Sequence, residues 1–363
     1  MATSIYDFAR LPGWQAAGRE TAVSDLAPTT LAPHSGPAPR VGIIHNPRSH
    51  QNKLAAASHE DLKRDFGPNI HIAEPGDRSA LPQALTNFAQ QGIDLLAIDG
   101  GDGTVRDVLT CGYAAFGDKW PALAVLPRGK TNALAHDLRL PGEWDIDAAI
   151  RAYQLGAFAQ RRPLALAEAG SQHKNGASAP VFGFVLGAGA FTKATQVGQS
   201  AHRLGAFNSL AVATTAIWAL IQSVTATRAN EWRRGAAMEI GIGPHNAPLG
   251  HSGHGDATHR QLLFAASLEN MPAGINPFGA VQKAGPAQFK VLAIDQISRR
   301  TTALIPAMLL GLVTKGLRQR GVHQLAVSSL SLTLDEPFIL DGEAFPAGEY
   351  SLASGPALRF VVP

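Results

Sequence analysis

The segment that most constrains this chain runs Asp94-Leu-Leu-Ala-Ile-Asp-Gly-Gly-Asp-Gly-Thr-Val-Arg-Asp-Val-Leu109. A short apolar run, Leu95 to Ile98, breaks off at Gly100-Gly101-Asp102-Gly103-Thr104. Val105, Val108 and Leu109 then recur at helical spacing. The pattern predicts a strand, a glycine-rich turn and a helix N-terminus. Glycine permits the tight turn and leaves no side chain between the backbone and a ligand. Thr104 can cap the helix, whose free N–H groups and dipole favour an anion. Asp102 does not suit a bare phosphate site. It makes sense with a divalent cation between it and the phosphate, or as a proton carrier.

Two further strands end the same way. Val41-Gly-Ile-Ile-His45 runs into Asn46-Pro47-Arg48-Ser49, and Leu123-Ala-Val-Leu126 runs into Pro127-Arg128-Gly129-Lys130-Thr131-Asn132. In an open parallel sheet such ends line one edge, where ligands bind.

Strand and helix patterns alternate from Arg40 to about Gln160. Strands are expected near Val41–His45, Ile70–Ala73, Leu95–Asp99 and Leu123–Leu126. Helices are expected over Leu54–Phe66, Ala80–Gln91, Val105–Phe116, Ala133–Leu138 and Asp145–Leu155. Such alternation predicts an α/β nucleotide-binding domain, with a parallel sheet covered by helices, over 40–160. After Arg161 short strand-like runs follow one another: Pro163–Glu168, Val181–Leu186, Met238–Ile242, Gln261–Leu268, Phe289–Ile294, His323–Ser328 and Ser331–Leu334. They predict an antiparallel, β-sandwich-like second domain over 161–363, with helical insertions at Leu204–Val224 and Leu304–Arg318. Residues 1–39 are rich in Pro, Ala, Ser and Thr and read as a flexible extension.

The three loops resemble those of the diacylglycerol kinase catalytic domain family of lipid kinases, which includes sphingosine and ceramide kinases. A fourth element of that family, Asp-Gly-Glu, is matched by Asp341-Gly342-Glu343. The resemblance implies transfer of the γ-phosphoryl of ATP, with Mg2+, to the primary hydroxyl of diacylglycerol, ceramide or a sphingoid base. It implies that Asn46, Pro47, Arg48, Ser49, Gly100, Gly101, Gly103, Thr104, Gly129, Lys130, Thr131 and Asn132 bind the nucleotide. It implies that Glu343 and Asp102 are catalytic, Glu343 as general base. That role would call for burial or a nearby carboxylate to strengthen the base. Arg128 and Lys130 can neutralise phosphate charge, and Arg78 can line the same edge.

The chain departs from the family pattern at His50, where glycine is usual, and at Lys130, where a small hydroxyl is usual. The segment Asn276–Phe289 lacks the acidic pair associated with a structural metal in the second domain. Two alternatives stay open: an NAD-kinase-like nucleotide kinase, which shares Gly-Gly-Asp-Gly, and a lipid-binding module without catalysis.

Composition supports a globular chain and narrows its partners. Apolar residues make up 45% of 363 and charged residues 16%, and the formal net charge is +3. That balance suits a large core, gives no basis for a nucleic-acid partner, and is compatible with an anionic membrane surface. A single cysteine, Cys111, excludes an internal disulfide framework and reads as a small core residue. The N-terminus lacks a basic start and an apolar leader core, so a cytoplasmic chain in peripheral contact with membranes is expected. Leu204–Val224 is uncharged over 21 residues but is interrupted by Asn208, Ser209, Thr214, Thr215 and Gln222. It reads as a buried or surface-docking helix rather than a span. His245, His251, His254, Asp256 and His259 fall in a Gly-rich stretch at spacings that match no compact metal site, so a solvated loop is expected.

Overall fold

The computed structural model describes residues 38–52, 69–169, 172–173, 176–177, 180–193, 234–272, 275–282, 284–296, 298, 301, 304, 307–308 and 310–363. Residues 1–37, the helix expected over Leu54–Phe66 and the apolar segment Leu204–Val224 lie outside these. So does part of Leu304–Arg318, whose described end is a short helix, Lys315–Gln319.

The first domain follows the expected alternation. Its strands are β1 (Val41–His45), β2 (Ile70–Ala73), β3 (Leu95–Gly100), β4 (Ala122–Pro127) and β5 (Phe158–Arg161). β1 lies between β2 and β3, and β3 pairs with β4, all in parallel. Leu96 and Ile98 pack toward Leu85 and Phe88 of the helix Leu81–Gln91 and toward Val105, Val108 and Leu109 of the helix Asp102–Phe116. Leu95 and Ala97 pack the other way, with Trp144, Ile146 and Ala149. Alternate side chains point to opposite faces of a strand, and here both faces are covered. The sequence of β3 is therefore continuously apolar.

The second domain is antiparallel. Its strands are β6 (Leu164–Glu168), the hairpin β7 (Gln172–His173) and β8 (Gly176–Ala177), β9 (Val181–Gly183), β10 (Val185–Gly189), β11 (Ala236–Ile242), β12 (Ala247–Pro248), β13 (His259–Ala266), β14 (Phe289–Asp295), β15 (Val322–Val327), β16 (Ser329–Leu334), β17 (Phe338–Leu340), β18 (Glu343–Phe345) and β19 (Gly348–Ser354). Apart from the β7–β8 hairpin they form one sheet, whose main order is β18-β17-β10-β13-β11-β16-β19-β6-β9. β9 ends that order, yet β10, one residue later in sequence, lies near the opposite end. The sheet therefore curls into a half-barrel around its own apolar face, which includes Leu186, Leu263, Val291, Leu332 and Leu352.

One strand breaks the expected boundary. β20 (Leu358–Val361) leaves the second domain and inserts between β4 and β5 of the first sheet, parallel to β4 and antiparallel to β5. The strand-like pattern alone assigns all of 161–363 to the second domain. Leu358, Phe360 and Val361 are fully buried in the first sheet, so apolar burial returns the C-terminus there. The helix Asp102–Phe116 binds the domains from the other side. Its Thr110 hydroxyl accepts from Phe182 N–H at 3.0 Å, and Tyr113 meets the Phe182 ring edge-on.

Candidate active site

The loops after β1, β3 and β4 meet at the C-terminal edge of the parallel sheet and are tied to each other. Asn46 Nδ2 donates to Thr104 Oγ1 at 2.8 Å, and its Oδ1 accepts from Arg48 N–H at 2.9 Å. Gln51 N–H donates to Arg128 C=O, and Arg128 N–H to Gly100 C=O. Asn132, in a left-handed conformation, accepts from Gly129 N–H at 2.8 Å and returns a bond to Gly129 C=O. Pro47, Arg48, Lys130 and Thr131 are exposed at this edge, whereas Ser49 is buried. All the residues expected to bind the nucleotide are thus gathered in one place.

Two local expectations change. The helix begins earlier than expected, with Gly101 at the N-cap and Asp102 in its first turn. Thr104 lies inside the helix, where its hydroxyl accepts from Asn46 rather than capping the end. The glycines also differ in purpose. A methyl group at Gly101 would meet Gly129 Cα at 2.8 Å, and one at Gly100 would strike the Thr104 side chain. Those two glycines serve contacts within the protein. Gly103 alone of the three is open, its nearest neighbour being an Arg106 nitrogen at 3.5 Å.

Asp102 bridges the second and third loops. Its carboxylate accepts from Ala133 N–H at 3.0 Å and Leu134 N–H at 3.3 Å, so it satisfies free donors at the start of the helix Ala133–Asp137. Burial pushes its carboxyl above the usual range. Asp341 does the same work in the second domain. It adopts φ 45° ahead of Gly342, and its two oxygens accept from Phe184 and Val185 N–H, each at 2.9 Å. Those are the donors freed where the chain breaks between β9 and β10. Burial, and then the charge of Asp102, push the Asp341 carboxyl up to about 7.

The turn at Asp341-Gly342 presents Glu343 toward the first domain. Its Oε2 lies 3.5 Å from Arg78 NH2 and 3.7 Å from Arg106 NH2. Asp107 holds both arginines, accepting from Arg78 Nε at 2.8 Å on one oxygen and from Arg106 NH2 at 3.1 Å on the other. Arg106 also donates to the carbonyls of Leu340 and Asp341, and it is almost wholly buried. The base role calls for burial or a nearby carboxylate around Glu343; the structure sets two guanidinium groups beside it. Arg106 and Asp107 were not singled out from the sequence. Their signal was a charged pair one helical turn after Asp102 and Gly103, in a helix otherwise rich in buried apolar positions.

His45 and Asp99, to which the sequence assigns no role, form a second group with Arg128. His45 Nδ1–H donates to Asp99 Oδ2 at 2.5 Å, and Arg128 Nε donates to Asp99 Oδ1 at 3.1 Å. The Asp99 carboxylate raises the His45 pKa above its ordinary value of 6.5. These residues end β1, β3 and β4, so the sheet register alone brings them together.

Elsewhere the polar clusters are structural. Asp295, fully buried, accepts from Arg260, from His323 Nε2 at 3.1 Å and from Ser252 N–H at 2.8 Å. His251 reaches the same carboxylate at 3.8 Å, and His259 pairs with Asp256 at 3.2 Å. Among the described residues no three His, Cys, Asp or Glu side chains are arranged to hold a metal ion. Cys111 is buried, which pushes its thiol pKa far up and suits an inert core residue.

Comparison with known proteins now places these loops. Residues 40–164 match the family model described as the diacylglycerol kinase catalytic domain. A protein named "Probable lipid kinase YegS" from Escherichia coli is 31% identical over 84 residues, 23% of this chain and 28% of that protein. "Probable lipid kinase YegS-like" from Cronobacter sakazakii is 29% identical over 109 residues, 30% of this chain and 36% of that protein. The matched segments thus span about a third or less of these curated relatives. A crystal structure of a diacylglycerol kinase from Bacillus anthracis is 16% identical, with a TM-score of 0.56, covering 89% of this chain and 97% of that one. That likeness is one of fold, and it extends beyond residues 40–164 into the half-barrel that carries Glu343.

Proposed function

We propose that the protein is an ATP-dependent lipid kinase that phosphorylates the primary hydroxyl of diacylglycerol, ceramide or a sphingoid base. The observation that carries this reading is Glu343, delivered by the second domain to Arg78 and Arg106 of the first, beside the glycine turn. Phosphoryl transfer through a loose transition state needs positioning and charge stabilisation more than covalent help. Backbone N–H groups at Gly101 and Gly103, with Arg128 and Lys130, suit the phosphates. Glu343, held in place by two guanidinium groups, orients the lipid hydroxyl and receives its proton late, once the bond to phosphorus has formed and the hydroxyl has become acidic. Arg78, the more exposed of the two, meets negative charge developing on the transferred group, and the buried Arg106 holds Glu343 and Asp107 in place.

Mg2+ fits this site only in part. Asp102 and Asp341 both spend their oxygens on backbone N–H groups. Asp102, within the glycine turn, is the carboxylate that would hold a magnesium ion, which would supply neutralisation of phosphate charge. The membrane lipid substrate implies a cytoplasmic protein in peripheral contact with the bilayer. No helix among the described residues is long and apolar enough to cross a membrane.

The test is purified protein with labelled ATP, Mg2+ and a panel of diacylglycerol, ceramide, sphingoid base and NAD. Label in a lipid supports the reading. Label in NAD replaces it with a nucleotide kinase, and lipid binding without transfer replaces it with an inactive lipid-binding module.

A further inference from the structure

Four large apolar side chains are prominently exposed among the described residues, and three of them fall close together in sequence: Leu304 at 43%, Leu310 at 66% and Leu312 at 63%. The loop is built to display them. Leu310 and Leu312 both donate their N–H to Ala307 C=O, at 3.2 and 3.0 Å, and Gly311 between them takes φ 85°. That tight turn sends two leucines outward. Its inward anchors are Met308 and Leu317, both buried in the core that holds Phe278. The exposed leucines therefore contribute little to folding, and water carries the full cost of their apolar surface.

The electrostatics of the same edge are one-sided. Lys315, Arg318 and Arg320 follow the turn and are exposed. The whole stretch from Gln296 to Leu334 contains no acidic residue. Apolar side chains at a tip with cations behind it match the cross-section of an anionic bilayer, with acyl chains inside and charged headgroups at the surface. A second copy of this chain matches less well. Three leucines bury far less than the roughly 800 Å² per partner of a stable interface. A two-fold contact through this tip would also set like charges against each other.

We propose that the loop bearing Leu304, Leu310 and Leu312, with Lys315, Arg318 and Arg320 behind it, docks the protein on an anionic lipid bilayer by inserting its leucines. The inference deepens the lipid kinase reading, because it gives the enzyme a way to meet an insoluble substrate. It is measured by binding, independently of turnover.

The experiment is co-sedimentation of the purified chain with vesicles of phosphatidylcholine alone and of phosphatidylcholine mixed with phosphatidylglycerol. The native protein should pellet with the mixed vesicles and be released by high salt. The double variant Leu310→Ser, Leu312→Ser should lose vesicle affinity by about tenfold or more. Lys315→Glu with Arg318→Glu should abolish the preference for the anionic mixture. Leu155→Ser removes the fourth exposed leucine, 71% exposed in the first domain, and should bind as native. Thermal unfolding should be the same for native protein and the leucine variants. Native binding by the Leu310/Leu312 variant, or equal loss in Leu155→Ser, overturns the proposal. So does sedimentation equilibrium showing a dimer that this variant dissociates. Activity on a water-soluble short-chain diacylglycerol separates the two readings. The leucine variant should retain whatever activity the native protein shows on short-chain diacylglycerol, ceramide or sphingoid base, whereas native protein that binds vesicles but phosphorylates none of the three refutes the kinase and leaves the docking loop standing.

Discussion

Gly101 and Gly129 touch backbone to backbone. A methyl group on either would lie within 2.8 Å of the other's Cα. Neither can grow a side chain without parting the glycine turn from the third loop. Gly103, two residues on, has no such neighbour.

This difference predicts opposite outcomes for two similar substitutions. Gly101→Ala should cost about 1–3 kcal/mol, the scale of an overpacking clash, and should also weaken nucleotide binding. Gly103→Ala should leave stability unchanged or raise it by up to about 1 kcal/mol, because alanine is the better helix residue. It should still weaken ATP binding if phosphate approaches that backbone. Chemical denaturation and calorimetry decide the matter. Equal destabilisation by both substitutions would contradict the packing account.

Asp341 predicts how stability depends on pH. Its carboxyl is raised from an ordinary value of 3.8 to about 7 by burial and by Asp102. The folded state therefore holds this proton more tightly than the unfolded chain. The stabilisation is complete below the unfolded value and is lost as pH rises toward about 7. Urea unfolding of native protein at a series of pH values should show this decline, at up to about 1.4 kcal/mol per pH unit. Asp341→Asn should flatten it. A decline that persists in that variant would assign the proton to another group.

For the chemistry, Glu343→Gln should lower turnover by about 10²- to 10⁴-fold, the usual scale for a general base, with ATP affinity little changed. Asp107→Asn should lower turnover as well, because it loosens both Arg78 and Arg106. Its effect should be smaller, since Asp107 acts by positioning. Normal turnover in Glu343→Gln would remove Glu343 from the mechanism.

His45 titrates above 6.5 because Asp99 favours its charged form. Here too the folded pKa exceeds the unfolded one. The stabilisation is complete below about 6.5 and lost as pH rises through the folded value. A proton NMR titration should place the ring above the unfolded value, and Asp99→Asn should bring it down. The same variant should weaken nucleotide binding, because Arg128 would lose its anchor. A ring that titrates identically in both proteins would contradict the pairing.

Much of the first domain was legible in the sequence because its signals are local. Leu95 to Ile98 is apolar on both faces, and the glycines after it mark where the strand gives way to a helix. The Asn46 and Asn132 loops follow strands of the same kind. These features specify a parallel sheet and the edge at which its loops gather, which is why the candidate residues lie together. The second domain was legible as a series of short strands, but their pairing order was not, since alternation says nothing of which strand lies beside which.

The tertiary structure alone decided the surroundings of the candidate site residues. Asp341 reaches Phe184 across 157 positions, and Arg78 reaches Glu343 across 265. No periodicity encodes such contacts. They exist because the half-barrel breaks at Phe184 and because the helix Asp102–Phe116 packs against that break. Burial there raises the affinity of Asp341 for its proton, and Arg106 becomes the buried link between domains. The return of Leu358–Val361 to the first sheet has the same origin: the strand is apolar wherever it sits, and only the packed sheet offers the gap between Ala122–Pro127 and Phe158–Arg161 that buries it.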